Sequence, residues 1–127
     1  MNSAARGLAV LAAIFGLIAV VLGAFAAHAL KSRIEPALLL AFETGVRYQM
    51  YHALAMLLVS LWLDRTKSKL LIASGFLFSA GILFFSGSLY LLATAGWRWL
   101  GPVTPLGGLC FILGWLTLAV GLFRTRN

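Results

Sequence analysis

Long apolar runs alternate with short polar breaks along this chain. The runs cover about residues 7–30, 44–63, 70–93 and 104–123. The breaks are Lys31-Ser32-Arg33-Ile34-Glu35-Pro36, then Asp64-Arg65-Thr66-Lys67-Ser68-Lys69, then the stretch from Gly96 to Val103. Each break combines charge with Pro, Gly or Ser, and lipid-exposed backbone tolerates neither. Each run approaches the ~20 apolar residues that cross a hydrocarbon core of ~30 Å. The pattern predicts an all-α integral membrane bundle of four transmembrane helices.

The first run imitates a secretory signal, because small residues follow it at Ala24-Phe25-Ala26 and Ala27-His28-Ala29. A signal core is about 7–15 residues long. Gly7 to Ala27 is unbroken and longer, so it reads as a membrane helix. Pro36 and Pro105 each follow a possible helix cap, Glu35 and Thr104, and so mark helix first turns. A helix from Pro36 to Leu63 would measure ~42 Å at ~1.5 Å per residue, more than the core needs. The excess, Pro36 to Thr44, is expected as an interfacial segment before the second span, separated from it at Gly45.

Composition narrows the class. The chain has 127 residues, 62% of them hydrophobic, with a mean hydropathy of +1.01. That allows one transmembrane domain over 1–127 and no second core. The net charge of +7 is no nucleic-acid footprint, since the basic residues cluster at the ends of apolar runs. Arg6, Arg65, Lys67, Lys69, Arg124 and Arg126 fall on one side, and Lys31, Arg33, Arg47 and Arg98 on the other. The excess of basic residues on the first side predicts both termini in the cytoplasm and an inner-membrane location. Trp97 and Trp99, flanking Arg98, read as an aromatic anchor at the opposite surface. Cys110 is the sole cysteine, so no intramolecular disulfide forms.

Small residues recur every seven positions: Gly16 and Gly23 in the first helix, Ser74, Gly81 and Ser88 in the third, Gly107, Gly114 and Gly121 in the fourth. This period keeps one face toward a neighbour, and small side chains let backbones approach. The six glycines are therefore expected at helix contacts, within one chain or between copies.

The remaining polar groups gather toward one end. His28 closes the first helix, Glu43 to His52 opens the second, Ser86, Ser88 and Tyr90 close the third, and Thr104 opens the fourth. They predict a polar layer near the non-cytoplasmic surface. At 100° per residue the second helix splits this chemistry. Glu43 and Arg47, at i and i+4, are expected as a shallow interfacial ion pair. Gly45, Tyr48, Gln49 and His52 lie on the other face, with Ser86, Ser88, Gln49 and Tyr90 as candidate partners for His52. Two histidines near one surface raise bis-histidine haem, or a metal held with Glu43. No second ligand motif accompanies them, so neither cofactor nor metal is expected. No phosphate loop and no nucleophile with a base is present, so no enzyme is expected.

Gly23-Ala24-Phe25-Ala26-Ala27-His28-Ala29-Leu30 and Phe42-Glu43-Thr44-Gly45-Val46-Arg47-Tyr48-Gln49-Met50-Tyr51-His52-Ala53-Leu54 closely resemble a family of small membrane proteins. So do Phe85-Ser86-Gly87-Ser88-Leu89-Tyr90, Thr104-Pro105-Leu106-Gly107-Gly108 and Gly114-Trp115. The family is an uncharacterised one of bacterial inner-membrane proteins of the YgdD/YwdK type, with a small eukaryotic transmembrane relative. The resemblance spans essentially the whole chain and implies an α-helical inner-membrane protein of three to four spans. It carries no activity with it.

Three functions follow for comparison. The first is a structural or accessory bundle that associates with itself or with a larger membrane complex. The second is a small transporter subunit, which lacks the intramembrane carboxylate that proton coupling needs. The third binds membrane lipid or another amphiphile at the polar layer, through Tyr48, Gln49, His52 and the Ser86–Ser88 turn.

Overall fold

The computed structural model describes residues 1–125. Arg126, counted above for orientation, lies outside them. The described residues form four long helices and no strand: α1 Ser3–Leu30, α2 Pro36–Arg65, α3 Lys69–Ala95 and α4 Val103–Arg124. A single 3-10 turn, Arg98–Leu100, leads into α4. Gly96 ends α3 at φ 71°, a left-handed position that suits a residue without Cβ.

Three helical segments are long and apolar enough to cross a membrane: Ser3–Leu30, Lys69–Ala95 and Arg98–Arg124. The second helix has the length but not the apolarity, because it carries Glu43, Arg47, Gln49 and His52. Its place explains Gln49 and His52. It lies between α1 and α3, packing along both, and buries Gly45, Gln49, His52, Ala53, Met56 and Val59.

Neighbouring helices run antiparallel. Asn2 at the start of α1 meets the end of α2, donating its backbone N–H to Asp64 Oδ1 at 2.8 Å and its side-chain amide to Leu63 O at 3.2 Å. The same side chain caps α1, accepting from Ala5 N at 2.8 Å. At the far end Phe25 of α1 packs edge-on against Phe42 of α2, with ring centroids 6.2 Å apart. Helices α3 and α4 pair likewise, from Ser88–Thr104 at one end to Leu70–Gly121 at the other.

Two expectations are corrected here. The segment Pro36–Thr44 is no separate interfacial helix, since α2 runs unbroken through Gly45. Buried Phe42 and half-buried Leu38 and Leu39 hold that first part against α1 and α3. Thr104 is no helix cap, because α4 begins one residue earlier and Thr104 turns to Ser88.

The glycines sort by what a side chain would strike. A Cβ on Gly107 would enter the Phe85 backbone, 2.7 Å from its Cα, and one on Gly114 would lie 2.6 Å from the Phe78 ring. Gly81 would collide with the Phe111 ring, and Gly121 would press Leu70 Cβ at 3.1 Å. These four set the α3–α4 contact. Gly23 makes an ordinary contact with Val46 Cγ1 at 3.4 Å, whereas Gly16 has nothing within 4 Å. The stripe of α1 thus faces outward at Gly16 and does not continue as a contact within the chain.

Candidate functional site

The polar residues form a ladder through the bundle. At its outer end Ser88 Oγ donates to Phe85 O at 2.9 Å and lies 2.5 Å from Thr104 Oγ1, joining α3 to α4. Next, Ser86 Oγ donates to Gly45 O at 2.6 Å, joining α3 to α2. Gly45 permits this approach, since a Cβ there would lie 2.8 Å from the Tyr90 ring and 3.3 Å from Ser86 O. Ser86 closes a widened π turn, Ile82–Ser86, inside α3.

Deeper still, Tyr90 Oη donates to Gln49 Oε1 at 2.7 Å, and Gln49 Nε2 donates to Phe15 O at 2.8 Å. One buried amide therefore ties three helices. Phe15 is near the middle of α1, so Gln49 lies at mid-height of the bundle.

His52 makes the last rung. Trp115 Nε1 donates to its Nε2 at 3.1 Å, and its Nδ1 lies 2.7 Å from Tyr48 O. An indole nitrogen can only donate, so Nε2 accepts, Nδ1 carries the proton and the imidazole is neutral. The ring stacks on Phe111 with centroids 3.6 Å apart and planes 10° apart, and Phe78 closes another side at 5.3 Å. Glycines admit these aromatic rings: Gly81 accommodates Phe111, and Gly114 accommodates Phe78. The small-residue stripe and the histidine setting are one construction.

The sequence-based site is thus rearranged. Gln49 and Tyr90 are joined, as are Ser88 and Thr104, but His52 bonds to none of Gln49, Ser86, Ser88 or Tyr90. His52 stands about 24 Å along α2 at ~1.5 Å per residue, because the helix starts at Pro36 rather than near Thr44. The layer is a ladder reaching mid-height, not a ring near one surface. Tyr48 is 39% exposed and contributes its carbonyl and its ring, which packs on Phe85 at 4.8 Å.

His28 is exposed on the last turn of α1, apart from His52. The two histidines do not converge. Nor do Glu43 and Arg47 form an ion pair among the described residues; Arg47 donates to Thr44 Oγ1 at 3.2 Å. Arg47 is exposed and Glu43 half-buried, and there the attraction does not repay ordering two long side chains. The ion pair found is at the other end, between the Met1 amine and Asp64 at 4.0 Å.

Sequence reasoning missed Trp115 as the partner of His52, together with Phe78, Phe111 and the Phe15 carbonyl. One signal for Trp115 existed. A buried imidazole needs a donor or acceptor on a neighbouring helix, and Trp115 follows a glycine of the packing stripe.

Antiparallel apolar helices fastened by internal hydrogen bonds define a small helical membrane protein. Residues 22–108 match the family model described as a protein of unknown function, DUF423. The chain is 44% identical over 116 residues to the membrane protein YwdK of Bacillus subtilis, covering 91% of this chain and 94% of that one. It is 43% identical to a membrane protein of Haemophilus influenzae, over 92% of this chain and 94% of that one. It is 38% identical to the inner membrane protein YgdD of Escherichia coli, over 96% and 93% of the respective chains. No solved structure matches. The chain belongs to the DUF423 family of membrane proteins, for which no activity is described.

Proposed function

We propose that this protein is a four-span inner-membrane bundle with both termini in the cytoplasm, and that it serves as a non-catalytic structural or accessory protein. One observation carries the functional part: among the described residues no buried side-chain nitrogen or oxygen lacks a hydrogen-bond partner. A site built to take up a ligand keeps donors or acceptors aimed at it. Here Tyr90, Gln49 and Ser86 spend theirs on other helices, and His52 spends its two ring nitrogens on Trp115 and on Tyr48 O of its own helix. Neither of two cavities, of about 320 and 340 Å³, is lined by a residue of the ladder. The lipid-binding reading of the ladder loses its support for the same reason.

The fourth span is α2. Its ends are level with those of α1, as Asn2–Asp64 and Phe25–Phe42 mark, and its buried polar groups Gln49 and His52 face neighbouring helices instead of lipid. Orientation rests on Arg6, Arg65, Lys67, Lys69 and Arg124 at the end where Asn2 meets Asp64, against Lys31, Arg33, Arg47 and Arg98 at the other. The name of the Escherichia coli relative supports the inner membrane. On this reading the partners are membrane lipids and neighbouring membrane chains, further copies included. Purified protein in proteoliposomes tests the role. Proton and ion flux should equal that of empty liposomes, and a flux abolished by Gln49→Leu in a folded variant would overturn it.

A further inference from the structure

At the end of the bundle opposite Ser88–Thr104 lies a recess of about 340 Å³ between the α2–α3 connection and the close of α4. Arg65, Lys67 and Arg124 line it from two separate parts of the chain, with Ser68 and Gly121 between them. Among the described residues no acidic side chain lines it. The neighbouring carboxylate, Asp64, is engaged elsewhere, by Asn2 N at 2.8 Å and the Met1 amine at 4.0 Å. Among the described residues Arg65, Lys67 and Arg124 enter no ion pair. Ser68 Oγ accepts from Leu71 N at 3.3 Å, which caps α3 and leaves the hydroxyl proton to be donated. The Thr66 and Thr125 hydroxyls, which also line the recess, donate to Trp62 O and Leu122 O, so the recess rests on its three cations and the Ser68 hydroxyl.

We propose that this recess binds the phosphate of an anionic phospholipid headgroup. Guanidinium and ammonium groups around a concave polar site suit a phosphate, which takes several charge-assisted hydrogen bonds at once. Basic pockets between membrane helices at the cytoplasmic side hold such headgroups. Phe123, 90% exposed and next to Arg124, offers apolar surface where the acyl chains of a seated lipid would begin. The location at headgroup depth rests on the four-span reading, whereas the binding chemistry does not.

The test uses the full chain in non-ionic detergent, so that its outcome is independent of the number of spans. Native mass spectrometry follows titration with phosphatidylglycerol, phosphatidylcholine or inorganic phosphate. Wild type should retain one phosphatidylglycerol per chain in preference to phosphatidylcholine. The R65Q/K67Q/R124Q variant should weaken that binding by at least about tenfold, the scale expected when several surface cations facing an anionic lipid are lost. The K31Q/R33Q/R98Q variant removes equal charge at the other end and should bind as wild type. The charge-preserving R65K/K67R/R124K variant guards against misfolding and should still retain the lipid. Competition by millimolar inorganic phosphate, with the same dependence on the three residues, would assign the site to free phosphate as well and support the chemistry. Absence of a preference for phosphatidylglycerol, or equal losses in the two glutamine variants, would overturn the proposal.

Discussion

Gly107 and Gly108 are adjacent in α4 yet differ sharply in surroundings, so alanine at each isolates one physical term. A Cβ on Gly107 would lie 2.7 Å from both Phe85 Cα and Phe85 Cβ, whereas on Gly108 the nearest atom, Phe85 Cδ2, is 3.9 Å away. Ordinary contact begins near 3.4 Å and the Phe85 backbone nitrogen lies closer still, so Gly107→Ala forces α3 and α4 apart by about an ångström. Backbone cannot rotate aside, and the same contact holds Gly81 against Phe111 and Gly114 against Phe78. Overpacking costs about 1–3 kcal/mol, and the upper end applies where backbone is struck. Alanine returns about 1 kcal/mol of helix preference at either position. Gly107→Ala should therefore destabilise by about 2 kcal/mol and Gly108→Ala should be neutral to stabilising, a difference of about 3 kcal/mol. Equilibrium unfolding in lipid bicelles, followed by circular dichroism against added sodium dodecyl sulfate, measures both. Equal stabilities of the two variants would refute the α3–α4 packing described here.

Three further predictions come from the ladder and the outer stripe. Tyr90→Phe leaves Gln49 Oε1 buried without its donor and should cost about 1–3 kcal/mol; adding Gln49→Leu, which removes the stranded acceptor, should recover part of that loss in the same unfolding assay. Trp115→Phe removes the donor to His52 Nε2 and should cost a similar ~1–3 kcal/mol, and ¹⁵N NMR of wild-type His52 should show the proton on Nδ1. Gly16→Ala should leave the unfolding of the single chain unchanged to within about 1 kcal/mol, and any change in chain association, read by crosslinking, would place that face between copies.

Much of this architecture is legible in the sequence, for reasons that also mark the limits. Charged breaks at Lys31–Pro36 and Asp64–Lys69 delimit helices because backbone leaving a helix needs water or protein around it. The shared seven-residue period of Gly81 with Gly107, Gly114 and Gly121 anticipates a close contact, and α3 and α4 make it. Helical geometry alone puts Gly45, Gln49 and His52 on one face, and all three are buried. Pro36 is legible as a helix first turn, but the continuity of α2 through Gly45 is not, because Glu43 and Arg47 resemble the edge of a membrane. The depth of His52 is lost with it. Trp115 escapes notice because tryptophan in an apolar run reads as lipid contact. Half of it is indeed exposed, at 48%, while its N–H turns inward to the imidazole. Gly16 shows the converse: its spacing suits a contact, but only the fold reveals that no helix of the chain covers it.

The central claim is that the polar ladder is closed and structural, with His52 sealed by Trp115, Phe111 and Phe78. Histidine modification by diethyl pyrocarbonate on the bilayer-reconstituted protein, mapped by peptide mass spectrometry, tests it most directly. Exposed His28 supplies the internal reference. The closed ladder predicts that His28 is acylated while His52 stays unmodified until the protein unfolds. Acylation of His52 in the folded protein at a rate comparable to that of His28 would contradict it.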